Sequence, residues 1–193
     1  MEQKAFVLGI TGNTGSGKSA VCRALRSLGA AVLDADAIAK ELQQPGGAGL
    51  KGICQLFGTE YLMEDGTLNR PKLAKLVFGC EDQLKKLNGL MYPLIRDAIM
   101  ERARGLKGLV VVDAPLLFDA GLNTICDAVW LVTAPEKVRK QRIMARDGLT
   151  DEQAEMRMAN QRPIDAALVD TVIENDGEES VLAARVAELV AAL

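Results

Sequence analysis

The chain has 193 residues, 49% of them apolar and 25% charged, with 23 basic and 26 acidic side chains and no histidine. Its formal charge of −3, pI near 5.2 and mean hydropathy of +0.09 fit a globular chain of one domain with room for a sizeable insertion. They exclude a disordered chain and argue against nucleic-acid binding through a basic surface. Without imidazole, acid–base work falls to carboxylates, lysine, cysteine or tyrosine.

No stretch reaches the roughly 18 unbroken apolar residues that span a bilayer. The opening MEQKAFVLGITG lacks an apolar core of signal-peptide length, so a cytoplasmic protein without a membrane partner is expected. Cys22, Cys54, Cys80 and Cys126 form no C-x-x-C pair and read as buried thiols rather than as a zinc site or disulfide framework.

Residues 5–10 (AFVLGI) are an apolar run ending in glycines, and SAVCRALRSL then places Val21, Leu25 and Leu28 on one helical face. This predicts strand, loop and helix. The loop, GITGNTGSGKSA, holds two readings. Gly12 to Ser19 spell G-x-x-x-x-G-K-S, a phosphate loop, while Gly15, Gly17 and Ala20 spell G-x-G-x-x-A, a form of the dinucleotide fingerprint. A phosphate loop needs glycines so that backbone N–H groups can converge on phosphate oxygens at a helix N-terminus. Lys18 then supplies a mobile charge and Ser19 a hydroxyl for Mg²⁺. The dinucleotide reading has no use for Gly12 or the Lys-Ser pair, although Asp34 stands where that fold places its ribose-binding acid. The triphosphate reading accounts for more of the unusual residues.

AAVLD (30–34) predicts a second strand, parallel to the first in a right-handed βαβ unit. Its DAD ending, Asp34 to Asp36, lies at the carboxyl edge where α/β sheets bind ligands. A carboxylate there suits proton abstraction from an attacking hydroxyl or the ordering of a metal shell. An Asp before AIAKEL equally suits an N-cap, so one acid can cap while the other catalyses. Residues 45–107 change to glycine-punctuated helical segments, too long for a simple crossover, and predict a helical insertion.

LVVVD (109–113), AVWLV (128–132) and TVIEN (171–175) predict further strands covered by helices on both faces. The expected architecture is α/β, a parallel five-stranded sheet flanked by helices with the insertion and a helical lid at about 136–165. Asp113 ends a strand as a metal-supporting acid does, or else bonds within its loop. EKVRKQRIMARDG puts Arg139, Arg142 and Arg146 at i, i+3 and i+7, a solvated stripe or an arginine-bearing lid. Residues 178–193 predict an amphipathic helix packed on the sheet through Leu182, Val186, Leu189 and Leu193.

GITGNTGSGKS, LGAAVLDADAIAKEL, FG with DGTLNR, YPLI, DAPLLFDAGL, VTAPEKVRKQRIMARDGLT and VIENDG occur in this order. Together, over nearly the whole chain, they resemble the dephospho-coenzyme A kinases. The resemblance implies a single nucleoside-kinase-like domain that uses Mg²⁺ and ATP to phosphorylate the ribose 3′-hydroxyl of dephospho-coenzyme A. By position it implies that Thr14 to Ser19 hold the ATP phosphates within a nucleotide-binding stretch of Gly12, Asn13, Thr14, Gly15, Ser16, Gly17, Lys18, Ser19 and Ala20, with Ser19 and Asp113 toward the metal. It makes Asp36 the base toward the 3′-hydroxyl, and gives Arg70, Pro115, Leu116, Leu117 and Phe118 to the acceptor. Arg142 and Arg146 belong to the lid, and Asn175 lies near the adenine. Two features depart from the family pattern. Tyr92 stands in YPLI where His is usual, a hydrogen-bond donor that is not cationic at neutral pH, and the stretch after Gln161 is shortened and lacks an expected lysine. The rivals are a kinase for another small molecule or nucleoside monophosphate, a nucleotide-dependent switch without a transferable substrate, and an NAD enzyme. Oligomeric state is not legible, and a monomer is compatible with the chain.

Overall fold

The computed structural model describes residues 5–161 and 163–193; residues 1–4 and Arg162, the first of the stretch expected to be shortened, lie outside the described residues. Five strands, β1 (Phe6–Thr11), β2 (Ala31–Asp34), β3 (Leu109–Asp113), β4 (Ala128–Thr133) and β5 (Thr171–Glu174), form one parallel sheet in the order β2-β3-β1-β4-β5. All five apolar runs become strands. The first two, expected as one βαβ unit, are sheet neighbours of β3 rather than of each other. Apolar runs do not encode lateral order.

Register divides each strand between two faces. Leu8 pairs with Val111 and Ala128, and Ile10 with Asp113 and Trp130, while Gly9 pairs with Val112 and Val129. With a side-chain period of two, Leu8, Ile10, Val111, Trp130, Val132 and Ile173 share one face. They pack there with Val21, Cys22 and Leu25 of α1 (Lys18–Ser27) and Leu182 and Val186 of the C-terminal helix. That helix runs Glu179–Ala191 and lies against α1. The same register directs Asp113 toward the α1 face. On the opposite face Gly9 leaves room that Leu117 and Cys126 fill. Burial on both faces holds for β1, β3 and β4 but not at the edges: β2 is only half-buried, and in β5 Ile173 is buried while Val172 is 48% exposed.

Two compact units divide the chain. Among the described residues, one comprises 5–33, 106–117, 123–161 and 163–193 and carries the sheet; the other comprises Asp34–Gly105 with Phe118–Leu122. The second contains α2 (Ala35–Leu42), α3 (Ala48–Phe57), α4 (Arg70–Phe78) and α5 (Glu81–Arg104), where α2, α3 and α4 each pack on α5. The sheet unit also holds the paired helices α6 (Glu136–Asp147) and α7 (Asp151–Ala159), so the C-terminal helix is α8. A Thr150–Gln153 capping box starts α7. Among the described residues no helix is long and apolar enough to cross a membrane.

The cysteines form no disulfide among the described residues. Only Cys22 is fully buried; Cys80 is exposed, a correction to the expectation of four buried thiols that follows from its place between α4 and α5 at the α5 N-cap.

Candidate active site

The chain enters the loop at the carboxyl end of β1, the strand flanked by β3 on one side and β4 on the other. That is the switch point at which open α/β sheets bind ligands. Gly12 and Ser16 are buried, Asn13, Thr14 and Gly15 half-buried, and Ser19 exposed in the first turn of α1. Lys18 and Ser19 contribute first-turn N–H groups that have no acceptor within the helix, and Ala20 follows, its N–H donating to the Gly17 carbonyl at 2.8 Å. Two glycines are required by geometry. Gly15 has φ +81°, and a Cβ there would lie 2.6 Å from the Arg139 carbonyl oxygen of α6. Gly17 has φ +88°, and its Cβ would collide with the Asn175 side-chain amide.

Lys18 Nζ forms an ion pair with Asp113, the two side chains 16% and 11% exposed. Cys22, one turn farther along α1, faces the same carboxylate; burial first, then the Asp113 charge, pushes its thiol up to about 12. The Ser16 hydroxyl is buried with no hydrogen-bond partner among the described residues. A buried hydroxyl without an acceptor is rare and unfavourable, and this one sits inside the loop that the sequence assigns to phosphates.

The loop carbonyls face outward onto side chains from distant segments. Arg139 Nε donates to the Thr14 carbonyl at 3.0 Å. Arg142 Nη1 donates to the Gly15, Ser16 and Asn175 carbonyls at 3.4, 3.3 and 3.0 Å. Asn175 follows β5 and is 5% exposed; its Nδ2 donates to the Ser16 carbonyl at 2.9 Å. Its side chain is therefore turned to the phosphate loop. Gln161 meets Thr14 twice, its Oε1 accepting from the backbone N–H at 2.9 Å and its Nε2 donating to the hydroxyl at 3.1 Å. Arg146 lies at the other end of the stripe and is held by Asp147 at 2.7 and 2.8 Å. Sequence reasoning noticed Arg139 only as part of the stripe and did not single out Gln161, for which no local signal exists.

The two acids of DAD separate. The Asp34 carboxylate caps α2, accepting from the N–H groups of Asp36 and Ala37 at 2.9 and 3.0 Å. Asp36 lies exposed in the first turn of the same helix. Arg70, at the start of α4, donates to Gln43 Oε1 at 2.5 Å. After β3, Pro115 accepts from the Thr11 hydroxyl at 3.2 Å, Leu116 is 56% exposed and Phe118 half-buried. Leu117 is wholly buried against Gly9 and so presents no surface to an acceptor. In the helical unit Tyr92 of α5 is half-buried, and burial, with the Asp119 carboxylate as a lesser cause, raises its phenol above the usual range. Among the described residues no group of three or more His, Cys, Asp or Glu side chains is placed to hold a metal. Asp113 and the Ser19 hydroxyl offer two hard oxygens, which suits Mg²⁺ bound chiefly through substrate phosphates and water.

A phosphate loop at the switch point of a β2-β3-β1-β4-β5 sheet, with a lysine in the first turn of the following helix and an arginine-bearing helix against the loop, defines the P-loop kinases. Residues 6–180 match the dephospho-CoA kinase family model. The dephospho-CoA kinase of Syntrophotalea carbinolica is 43% identical over 97% of this chain and 92% of its own length. Among solved structures, a protein from Thermus thermophilus superimposes with a TM-score of 0.83 at 36% identity, covering 99% of both chains. A dephospho-CoA kinase from Campylobacter jejuni gives 0.70 at 25% identity over 96% of this chain and 95% of that one. The chain belongs to the dephospho-CoA kinase family, which phosphorylates dephospho-CoA with ATP in the last step of CoA biosynthesis. Membership decides the opening ambiguity in favour of the triphosphate.

Proposed function

We propose that this chain transfers the γ-phosphoryl group of ATP to the ribose 3′-hydroxyl of dephospho-CoA, with Asp36 as the base. The observation that carries the reading is the loop from Gly12 to Ala20 at the carboxyl end of β1, with a buried Ser16 hydroxyl that has no partner among the described residues and Lys18 near its end. Phosphoryl transfer asks little covalent chemistry of a protein, so placement and electrostatics supply most of the rate. Loop amides and the N-terminus of α1 orient the phosphates, and Lys18 leaves Asp113 to meet the outer ones. Asp36 orients the acceptor hydroxyl and takes its proton as the new O–P bond forms.

Ser19 and Asp113 would hold Mg²⁺, which when bound neutralises charge on the β- and γ-oxygens. Arg142 and Arg146 would serve the developing charge from α6; both are bonded to protein groups here, so that role exchanges existing bonds for new ones. Arg70 and the segment Pro115 to Phe118 would serve the acceptor, with Leu117 acting as packing beneath its neighbours. Asn175 comes to the site from the β5 end, the side expected to face adenine. The setting is cytoplasmic, where both substrates are soluble.

Purified protein given Mg-ATP and dephospho-CoA should yield CoA, one phosphate heavier by mass, with ADP in equal amount. ATP consumption without that product, across a panel of nucleoside monophosphates and other alcohols as well, would favour a regulatory ATPase.

A further inference from the structure

The parts of the phosphate loop with the least intrinsic rigidity are tied down by side chains from elsewhere in the chain. Gly15 and Gly17 both have positive φ, and glycine lets the adjoining peptide planes rotate at little cost. A peptide is planar, so fixing one carbonyl fixes the N–H on its opposite side. Arg139, on the Thr14 carbonyl, thereby sets the Gly15 N–H. Asn175, on the Ser16 carbonyl, sets the Gly17 N–H. The intervening Ser16 N–H is already committed to the Asn13 carbonyl at 3.0 Å, which leaves the Gly15 and Gly17 amides as the ones to be aimed at an anion. A cation on the carbonyl side also polarises the peptide, making its N–H a better donor.

We propose that Arg139 and Asn175 are positioning residues for the polyphosphate, acting through the peptide groups of Gly15 and Gly17. Asn175 on this account reads no base: its amide is consumed by Ser16, and its Oδ1 lies 3.5 Å from Arg142 Nη2. The proposal rests on the reading of this loop as the holder of the ATP phosphates.

The test compares ATP with inorganic tripolyphosphate, which carries the phosphates and no base, by calorimetric titration of the whole chain. Asn175→Leu keeps approximate size and removes the donor to Ser16 without adding charge; Arg139→Lys keeps charge and loses the planar fork, a substitution that is not conservative at such a site. Each should weaken ATP and tripolyphosphate by the same factor, about three- to tenfold. KM for dephospho-CoA should stay near that of the parent while both anions bind more weakly, a split that a general loss of structure would not give. Loss of ATP affinity with tripolyphosphate binding unchanged would make Asn175 a base reader and overturn the proposal, as would unaltered binding of both by folded variants. If Asn175→Leu fails to fold, Arg139→Lys carries the same outcomes for the Gly15 peptide. A parent protein that binds no tripolyphosphate would instead sink the reading of the loop itself.

Discussion

The two aspartates of DAD should come apart under substitution, because their side chains have different work. Asp34 accepts two backbone N–H groups at the start of α2, at 2.9 and 3.0 Å, and N-caps of this kind stabilise by about 1 kcal/mol. Asparagine caps nearly as well as aspartate, so Asp34→Asn should keep both stability and turnover. Asp34→Ala should lose about 1 kcal/mol, which for a chain of this size lowers the melting temperature by about 2–4 °C. The cap belongs to Asp34, and Asp36 lies exposed in the first turn; there Asp36→Asn removes about 0.3–1 kcal/mol of interaction with the helix dipole. Its effect should fall on chemistry, a loss of about 10²–10⁴ in kcat for a base, with KM for ATP little changed. Thermal unfolding and steady-state formation of CoA separate the outcomes. Full turnover by folded Asp36→Asn, or collapse of turnover in Asp34→Asn, would refute the assignment of the base.

Two further outcomes follow from the sheet unit. Gly17→Ala should lower stability by about 1–2 kcal/mol for the left-handed backbone alone and weaken ATP by displacing the Asn175 amide; parent-like melting and titration would contradict the geometry. Cys22 and Cys126 are pushed up to about 12, in each case by burial first and then by a neighbouring aspartate. An unfolded thiol near 8.5 loses its proton before these do, so the folded chain holds more protons between pH 9 and 12. The thiols' contribution to the unfolding free energy should be flat below about pH 8 and fall as pH rises through that window, by at most about 1.4 kcal/mol per pH unit and thiol; Cys22→Ala should reduce the slope, and an unchanged slope would show that this thiol is not a source.

Strand positions were legible because a buried parallel strand has to be apolar on both faces, and LVVVD and AVWLV satisfy this without help from context. Strand order was not legible: nothing in AAVLD says that β3 will come between it and β1. The edges also depart from the simple rule, since β5 buries Ile173 and exposes Val172. Within the site, the glycines and Lys18 announce themselves because a phosphate-binding backbone needs them in a fixed short spacing. The carbonyl partners do not. Arg139 and Thr14 are 125 positions apart, and Gln161 and Thr14 are 147 apart, so their pairing exists only once the fold has formed. The stripe on α6 was visible as a period of charges. That Arg139 and Arg142 turn to loop carbonyls while Arg146 turns to Asp147 depends on how α6 meets Gly15. DAD is intermediate: the sequence offers both a cap and a base, and the hydrogen bonds to Asp34 say which acid caps.

With Mg²⁺ held by Ser19 and Asp113 as proposed, the ion pair of Lys18 and Asp113 would make metal dependence a property of binding as well as of turnover. Both side chains are largely buried, and breaking a buried pair from one side leaves the other charge uncompensated, an effect of several kcal/mol in proteins. ATP alone replaces only half of the pair: it gives Lys18 new anionic partners, yet brings further negative charge toward Asp113. ATP with Mg²⁺ compensates both halves. Metal-free ATP should therefore bind at least about tenfold more weakly than Mg-ATP, a difference of about 1.4 kcal/mol. Asp113→Asn, similar in shape and without the charge, should narrow that gap chiefly by strengthening the metal-free complex, even as turnover falls. Calorimetric titration with and without chelator reads both affinities. An equal gap in parent and variant would mean that Asp113 does not oppose the bare triphosphate, and that Lys18 exchanges partners without regard to the acid it leaves behind.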